Sequence, residues 1–463
     1  MKQTCLVAAA RKVLLVMLCL ASLTGCNTNS IQPDLSRLYA RTTPSELGTL
    51  SNEYPVVLVH GAFGARLCDA EGREHWPGSI KDLLLSSFED IALPILDGEK
   101  KSAAQLTPCG MTDEVAGRDF YGRIEATLMG PGGYLLTRPG TKPASGSRTY
   151  YRFVYDWRKD NVQSARELDA LVDQIREDHA DPTLKVDIVA HSMGGLITRY
   201  WLRYGTVDVL NDNDFPVNNR GGDKARKVIL VGTPSLGSTS ALQQLINGAH
   251  LGVTRIPAEV LLSFPSGYQL LPHPIVEPIL GTSGKRLNRD IFDIRIWRAF
   301  EWGPFDPGVR ERLSRDGWQE DDFERLIAYT HHHLERARRF VWSLTVENPA
   351  PNPELIVFGG DCIPTPAKIL IEDIAGESYV RLWPREVAEP RAEIDYEALM
   401  LEPGDGAVTK SSLLARAVLD PSVPRHRFSH FALDYPIMFC EAHSRLPGNV
   451  TFQDNLLHIL LSR

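Results

Sequence analysis

The chain has 463 residues, 43% of them hydrophobic and 23% charged. That is ordinary globular composition with ample length for a large core, and it favours one large domain with a sizeable insertion over two independent domains. The net charge of −8 gives no basic footprint and argues against nucleic acid as a partner.

Lys2, Arg11 and Lys12 form a positive start, and Val13 to Leu23 is a mostly apolar run too short for a comfortable membrane span. The run ends in Leu23-Thr24-Gly25-Cys26, which looks like a bacterial lipobox. Residues 1–25 thus read as a lipoprotein signal peptide, with Cys26 lipidated and left as the mature N-terminus. A plain secretory signal with a chance cysteine is the alternative. Asn27 follows, and by resemblance to Gram-negative lipoproteins the absence of Asp there favours an outer-membrane anchor. Residues 26–52 are polar, contain Pro33 and Pro44, and read as a tether; residues 53–463 form the folded domain. Cys5 and Cys19 leave with the signal, which leaves Cys68, Cys109, Cys362 and Cys440. An even number in an exported chain suggests disulfides, in any of three connectivities. Nearest-neighbour pairing, Cys68 with Cys109 and Cys362 with Cys440, is the expectation; buried free thiols are the alternative.

Tyr54 to Gly64 reads as a buried strand running into a His60-Gly61 turn. Gly130 to Ser147, rich in Gly, Pro and Ser, reads as an exposed loop. Thr149 to Trp157 is aromatic and β-branched, hence a strand. Asp160 to His179 carries Val162, Ala165, Leu168, Leu171, Val172 and Ile175 at helical spacing. Leu184, Val186, Ile188 and Val189 belong to the next strand, and Leu196 to Tyr204 to the next helix. Ala225 to Gly232 is another buried strand. Strands alternating with helices indicate an α/β fold whose mainly parallel sheet is covered on both faces.

From about residue 239 to 345 the alternation stops. The segment holds several helix-like runs and four tryptophans, Trp297, Trp302, Trp318 and Trp342, and reads as a helical cap over the C-terminal edge of the sheet. Its longest helix spans Asp321 to Trp342 and contains His331-His332-His333. Consecutive helical residues fan around the axis, so a solvated helix face is expected there and a metal site is not. Glu354 to Gly360 resumes the core, Gly404 to Val408 is a tight turn displaying the Asp405 carboxylate, and Val450 to Leu461 closes the chain as a helix.

The chemistry is concentrated at Val189-Ala190-His191-Ser192-Met193-Gly194-Gly195. A strand, a sharp turn with serine at its tip, and a helix make a nucleophile elbow. Small residues must flank the serine, and Gly194 supplies one while Ala190 stands where glycine is more usual. The following helix presents N–H groups that favour developing negative charge. The His60-Gly61 turn is placed to donate one backbone N–H to an oxyanion hole, with the second from Met193. A serine hydroxyl needs a histidine base and a carboxylate to orient it, in chain order serine, acid, histidine. Asp405 is the preferred acid, with Asp361 its rival. His443, in a loop before the last helix, is the preferred base, with His430 its rival; His426 shares the stretch of His430, and His458 lies within the helix. His191 reads as structural.

These motifs resemble the lecithin:cholesterol acyltransferase family of the α/β-hydrolase superfamily, as a bacterial lipoprotein member. The matching residues are Pro55 to Gly64, Tyr155-Asp156-Trp157-Arg158, Ala190 to Gly195, Gly232 to Ser238, Ile363-Pro364-Thr365-Pro366, Gly404 to Val408 and the region around His443. The resemblance implies Ser192 as nucleophile, Asp405 as acid, His443 as base, and oxyanion donors at Ala62 and Met193. It also implies a mobile lid near residues 65–110, where Trp76, Leu83, Leu84, Leu85 and Phe88 supply apolar content; a fixed core helix is the alternative. The cap shows no close match, so acyl and acceptor specificity do not carry over.

The expected activity is a serine-dependent lipid ester hydrolase or O-acyltransferase, of lipase or phospholipase type, working on an acyl lipid without cofactor or metal. The alternative is a catalytically silent envelope lipoprotein that keeps the fold for binding. The membrane enters as a partner through the lipid anchor. Cys26→Ser should release the protein from the membrane fraction, and mass spectrometry should find Cys26 as the mature N-terminus; any other N-terminus contradicts the lipobox.

Overall fold

The computed structural model describes residues 33–39, 54–79, 83, 86–95, 106–115, 118–251, 254–346, 348, 353–415 and 433–462. The signal peptide, Cys26, most of the tether, Leu84, Leu85, His426 and His430 lie outside the described residues.

The centre is a sheet of seven strands. In chain order they are β1 (Val56–Val59), β2 (Leu135–Leu136), β3 (Thr149–Phe153), β4 (Val186–His191), β5 (Ala225–Val231), β6 (Glu354–Gly360) and β7 (Tyr435–Phe439). Their spatial order is β7-β6-β5-β4-β1-β3-β2, and every neighbouring pair is parallel. Parallel pairing demands crossovers, and the helices that make them cover the sheet. The register sets Val59 beside Ala190 and Val231 beside His191, so the elbow emerges level with the ends of β1 and β5.

Successive residues of a strand face opposite sides, and the core divides accordingly. Val57, Val59, Ile188, Ala190, Val228 and Leu230 pack on one face with Leu168 and Val172 of α2 (Asn161–Asp178) and Ile197 of α3 (Met193–Tyr204). Val56, Leu58, Val189, Ile229, Val231 and Ile356 pack on the other. There they meet Ile124 and Leu128 of α1 (Gly122–Met129) and Phe452 and Leu456 of α5 (Val450–Leu461). The fold is an α/β-hydrolase, with helices on both faces of a parallel sheet.

Between residues 239 and 345 the helices include α4 (Glu320–Ser343), the longest among the described residues. Asp322 and Gln319 close its first turn as a capping box, which fixes where it starts. The segment also makes sheet contacts with residues beyond 345. Ile279–Gly281 pairs in parallel with the strand Ile369–Ile374, which pairs in turn with Glu377–Arg381. The three-histidine run is not one solvated face either. His331 and His332 are exposed, but His333 packs between Tyr268 and Tyr329, with ring centroids at 5.8 and 4.2 Å, and burial lowers its pKa to about 4.

Other expectations change in detail. The strand expected to reach Trp157 stops at Phe153, because Tyr155 and Trp157 leave the sheet to fill space beneath the site. The loop from Gly130 to Ser147 contributes the two-residue edge strand β2, with Leu135 and Leu136 exposed. Residues 33–39 are not free tether: Leu35–Leu38 is a helical turn, and the Tyr39 hydroxyl bonds to Asp454 on α5 at 2.8 Å.

The described part of the segment expected to act as a lid is packed in this structure. Cys68 and Cys109 are bonded, as are Cys362 and Cys440. Between the first pair, Ala65–Cys68 pairs with Glu74–Trp76 on one side and Thr107–Met111 on the other. Trp76, Leu83 and Phe88 are buried in the main core. The Trp76 ring lies 5.2 Å from Phe63 and 5.5 Å from Trp157, and its Nε1–H donates to the Phe63 carbonyl at 3.0 Å. An indole buried on aromatic neighbours with its N–H satisfied is a core anchor. In this structure these residues are packed into the main core. Residues 96–105, also within the expected lid, lie outside the described residues.

Candidate active site

The elbow forms because β4 ends in the sheet and α3 begins one residue later, so the intervening residue must turn sharply. That residue is Ser192, with φ 53° and ψ −124°. A non-glycine residue with φ > 0 is costly and persists only where its surroundings over-determine it. Here Ser192 N–H donates to Val231 O at 2.8 Å, and Gly195 N–H returns to Ser192 O at 2.9 Å. The first turn of α3 is pressed against its neighbours. A Cβ on Gly194 would collide with the His60 carbonyl, and one on Gly195 with the Thr233 side chain. Ala190 is fully buried in the core, so its methyl is accommodated where a smaller residue was expected.

Asp405 and His443 arrive from the other end of the sheet. After β6 the chain forms Ile363–Pro366, which pairs antiparallel with Leu401–Gly404 and carries Asp405 to the strand ends. After β7 it passes Cys440 and reaches His443, the first residue of a 3₁₀ turn that ends at Gly448. The Cys362–Cys440 bond links these two segments. His443 Nε2 lies 2.9 Å from Ser192 Oγ, and His443 Nδ1 lies 2.8 Å from Asp405 Oδ2. The main chain adds a second tie, His443 N–H to Asp405 O at 2.9 Å. Asp405 Oδ1 accepts from the backbone N–H of Ala407 at 2.9 Å and Val408 at 2.7 Å.

The turn expected to display Asp405 buries it instead, at 3% exposure. Pairing of Ile363–Pro366 with Leu401–Gly404 folds the turn inward, and Gly360 leaves room for it: a Cβ there would lie 2.7 Å from Asp405 Cβ. Burial would raise the carboxyl pKa, but the His443 charge and hydrogen bond, with the two backbone donors, hold it below its ordinary value. For His443, burial would lower the pKa, but the Asp405 charge and hydrogen bond hold it above 6.5. Asp361, the rival acid, is engaged elsewhere, with Lys410 at 2.9 Å. His458 is exposed on α5.

The His60-Gly61 turn abuts the elbow. His60 is fully buried and stacks on Tyr155 at 4.1 Å with nearly parallel rings, while the Tyr155 hydroxyl donates to His60 O at 2.8 Å. Burial lowers the His60 pKa to about 4. Ala62 follows, half-buried, and Met193 opens α3. Neither backbone N–H of this pair donates to an acceptor among the described residues. Tyr121, which no sequence motif singles out, accepts from Gly61 N–H at 2.7 Å and bonds His191 Nδ1 at 2.9 Å. Among the described residues, no group of three or more His, Cys, Asp or Glu could hold a metal ion, and no helix is long and apolar enough to cross a membrane.

Sheet and elbow together define the α/β-hydrolase class. Within it, residues 146–296 match the model of the lecithin:cholesterol acyltransferase family. No curated protein matches the chain in sequence. Among solved structures, a chain of the Tle4–Tli4 complex aligns with 13% identity and a TM-score of 0.50, over 88% of this chain and 98% of that one. Lipase BlEst2 of Bacillus licheniformis in its mature form aligns with 14% identity and a TM-score of 0.33, over 89% and 94%. EstA of Clostridium botulinum aligns with 14% identity and a TM-score of 0.33, over 88% and 87%.

The sign of the His443 shift is testable directly. An elevated pKa means that the ring becomes neutral, and able to accept a proton, only above the ordinary histidine value. In NMR titration of the histidine ring signals, His443 should titrate above 6.5 in the native chain and move downward in Asp405→Asn. A native midpoint at or below 6.5 contradicts the assigned electrostatics.

Proposed function

We propose that the chain is a serine-dependent lipid ester hydrolase or O-acyltransferase working through an acyl-serine intermediate. The reading rests on one observation, the unbroken hydrogen-bond chain from Ser192 Oγ through His443 to Asp405. His443 takes the hydroxyl proton as Ser192 attacks the ester carbonyl carbon. The carbonyl oxygen becomes an oxyanion, which the N–H groups of Ala62 and Met193 receive. His443 then gives its proton to the leaving alcohol, the C–O bond breaks, and the acyl group stays on Ser192. Water or a second alcohol, deprotonated by His443, releases it. Asp405 remains ionised throughout and stabilises the imidazolium.

The acyl-lipid substrate is supported by the family match over residues 146–296. The lipobox at Cys26 supports an envelope setting, anchored by lipid in the outer membrane, where such substrates are present as a surface. A silent envelope lipoprotein would have no need to keep Ser192 at positive φ, and that strain favours the enzymatic reading.

A fluorophosphonate probe should label Ser192 alone, and Ser192→Ala should abolish both labelling and turnover. His443→Ala and Asp405→Asn should each remove most activity, on the order of 10⁴-fold, with the double variant little worse than the more damaging single one. Unchanged labelling of Ser192→Ala overturns the assignment.

A further inference from the structure

A second hydrogen-bonded chain runs behind the first. Gly61 N–H, Tyr121 Oη, the His191 ring and the His443 carbonyl lie in series at 2.7, 2.9 and 3.3 Å. Each direction is fixed by chemistry. A backbone N–H only donates, so the Tyr121 oxygen accepts from Gly61. Its own proton is then free to go to His191 Nδ1. At the other end the His443 carbonyl can only accept, so His191 Nε2 carries the proton and donates to it; in the neutral ring Nδ1 is then bare and accepts from Tyr121. Tyr121 is 1% exposed and His191 9%, so bulk water does not compete at either residue. His191 also stays neutral, because burial and the neighbouring His443 lower its pKa to about 3. The tautomer is thus preserved even when His443, its ring centroid 5.0 Å away, carries a proton.

The two ends of this chain matter. Gly61 precedes Ala62, and its turn lies against the nucleophile: a Cβ on Gly61 would stand 2.8 Å from Ser192 Cβ. The other end is the main chain of the residue that bonds Ser192. We propose that Tyr121 and His191 are positioning residues that hold the oxyanion turn and the base-bearing loop in one register around Ser192. The inference rests on the roles given above to Ala62, Ser192 and His443. Tyr121 acts through the Gly61 N–H beside Ala62, and His191 acts through the carbonyl of His443, whose ring bonds Ser192. Tyr121 is fixed for the task at the N-cap of α1, whose Ile124 and Leu128 are buried against the sheet. Thus a side chain from one covering helix bridges two loops that the sheet alone leaves independent.

Misplacing reacting groups by fractions of an ångström to an ångström costs up to about a hundredfold in rate. Tyr121→Phe keeps the ring and removes the link. His191→Asn keeps an acceptor for Tyr121 but loses the donor to His443. Hydrolysis of a short p-nitrophenyl ester by the full chain should show kcat reduced by about tenfold to a hundredfold in each variant, with KM and the thermal unfolding midpoint near native values. The double variant should be no slower than the worse single variant, because the chain is broken once in either case. A folded Tyr121→Phe with native kcat, a loss confined to KM, or losses that multiply in the double variant would overturn the proposal. If Tyr121→Phe does not fold, the same split measured on His191→Asn decides. Ser192→Ala is run alongside: turnover that survives it refutes the serine reading itself, and is thereby told apart from failure of the positioning role.

Discussion

The site depends on a single backbone constraint, the left-handed conformation of Ser192 between β4 and α3. Strain of this kind costs on the order of 1–3 kcal/mol, and an isolated strand–helix junction would relax it. It survives because both flanks are pinned. The sheet holds β4 between β1 and β5, and the Val231 carbonyl receives the Ser192 N–H. Gly194 and Gly195 let α3 press against the His60 carbonyl and Thr233 with no side chain between. The requirement for small residues there follows from contact, and the positive φ at Ser192 follows from the junction.

The second constraint is electrostatic. Asp405 is a carboxylate removed from water, and an unpaired charge in that place would be strongly unfavourable. Two backbone N–H groups and the His443 ring satisfy it instead. The same pairing fixes which nitrogen of His443 faces Ser192. The stabilisation this gives His443 in its protonated form is present below the unfolded pKa and fades as pH rises through the elevated folded value. In the proposed reaction His443 must start neutral to accept the Ser192 proton, so the form that the pair stabilises best is the one that reaction would generate.

Much of this was legible in the sequence for identifiable reasons. Ser192 stood out because strand, small-residue turn and helix are all local signals. The sheet was legible because buried parallel strands such as Val228 to Val231 are continuous apolar runs. The even count of cysteines pointed to disulfides, and nearest-neighbour pairing was one of the three connectivities it allowed; the structure has Cys68–Cys109 and Cys362–Cys440. What escaped depends on tertiary contact. Apolar content in Trp76 and Phe88 does not say what those side chains pack against, and the contacts of Trp76 with Phe63 and Trp157 come from distant parts of the chain. The Gly-Asp-Gly turn around Asp405 has the composition of a surface turn and is buried by strand pairing forty residues away in sequence. The edge strand Leu135–Leu136 is too short to show alternation. Tyr121 carries no motif, since its importance comes from what it bridges rather than from its own neighbours.

The central claim is that an acyl group passes through Ser192, and trapping that intermediate tests it most directly. The full chain is mixed with a short activated ester, quenched in acid within the first turnover and digested, and its peptides are weighed. The account predicts one acyl mass increment, on the peptide containing Ser192, absent from Ser192→Ala. Ester cleavage with the acyl group on another residue, or undiminished cleavage by Ser192→Ala, would contradict it.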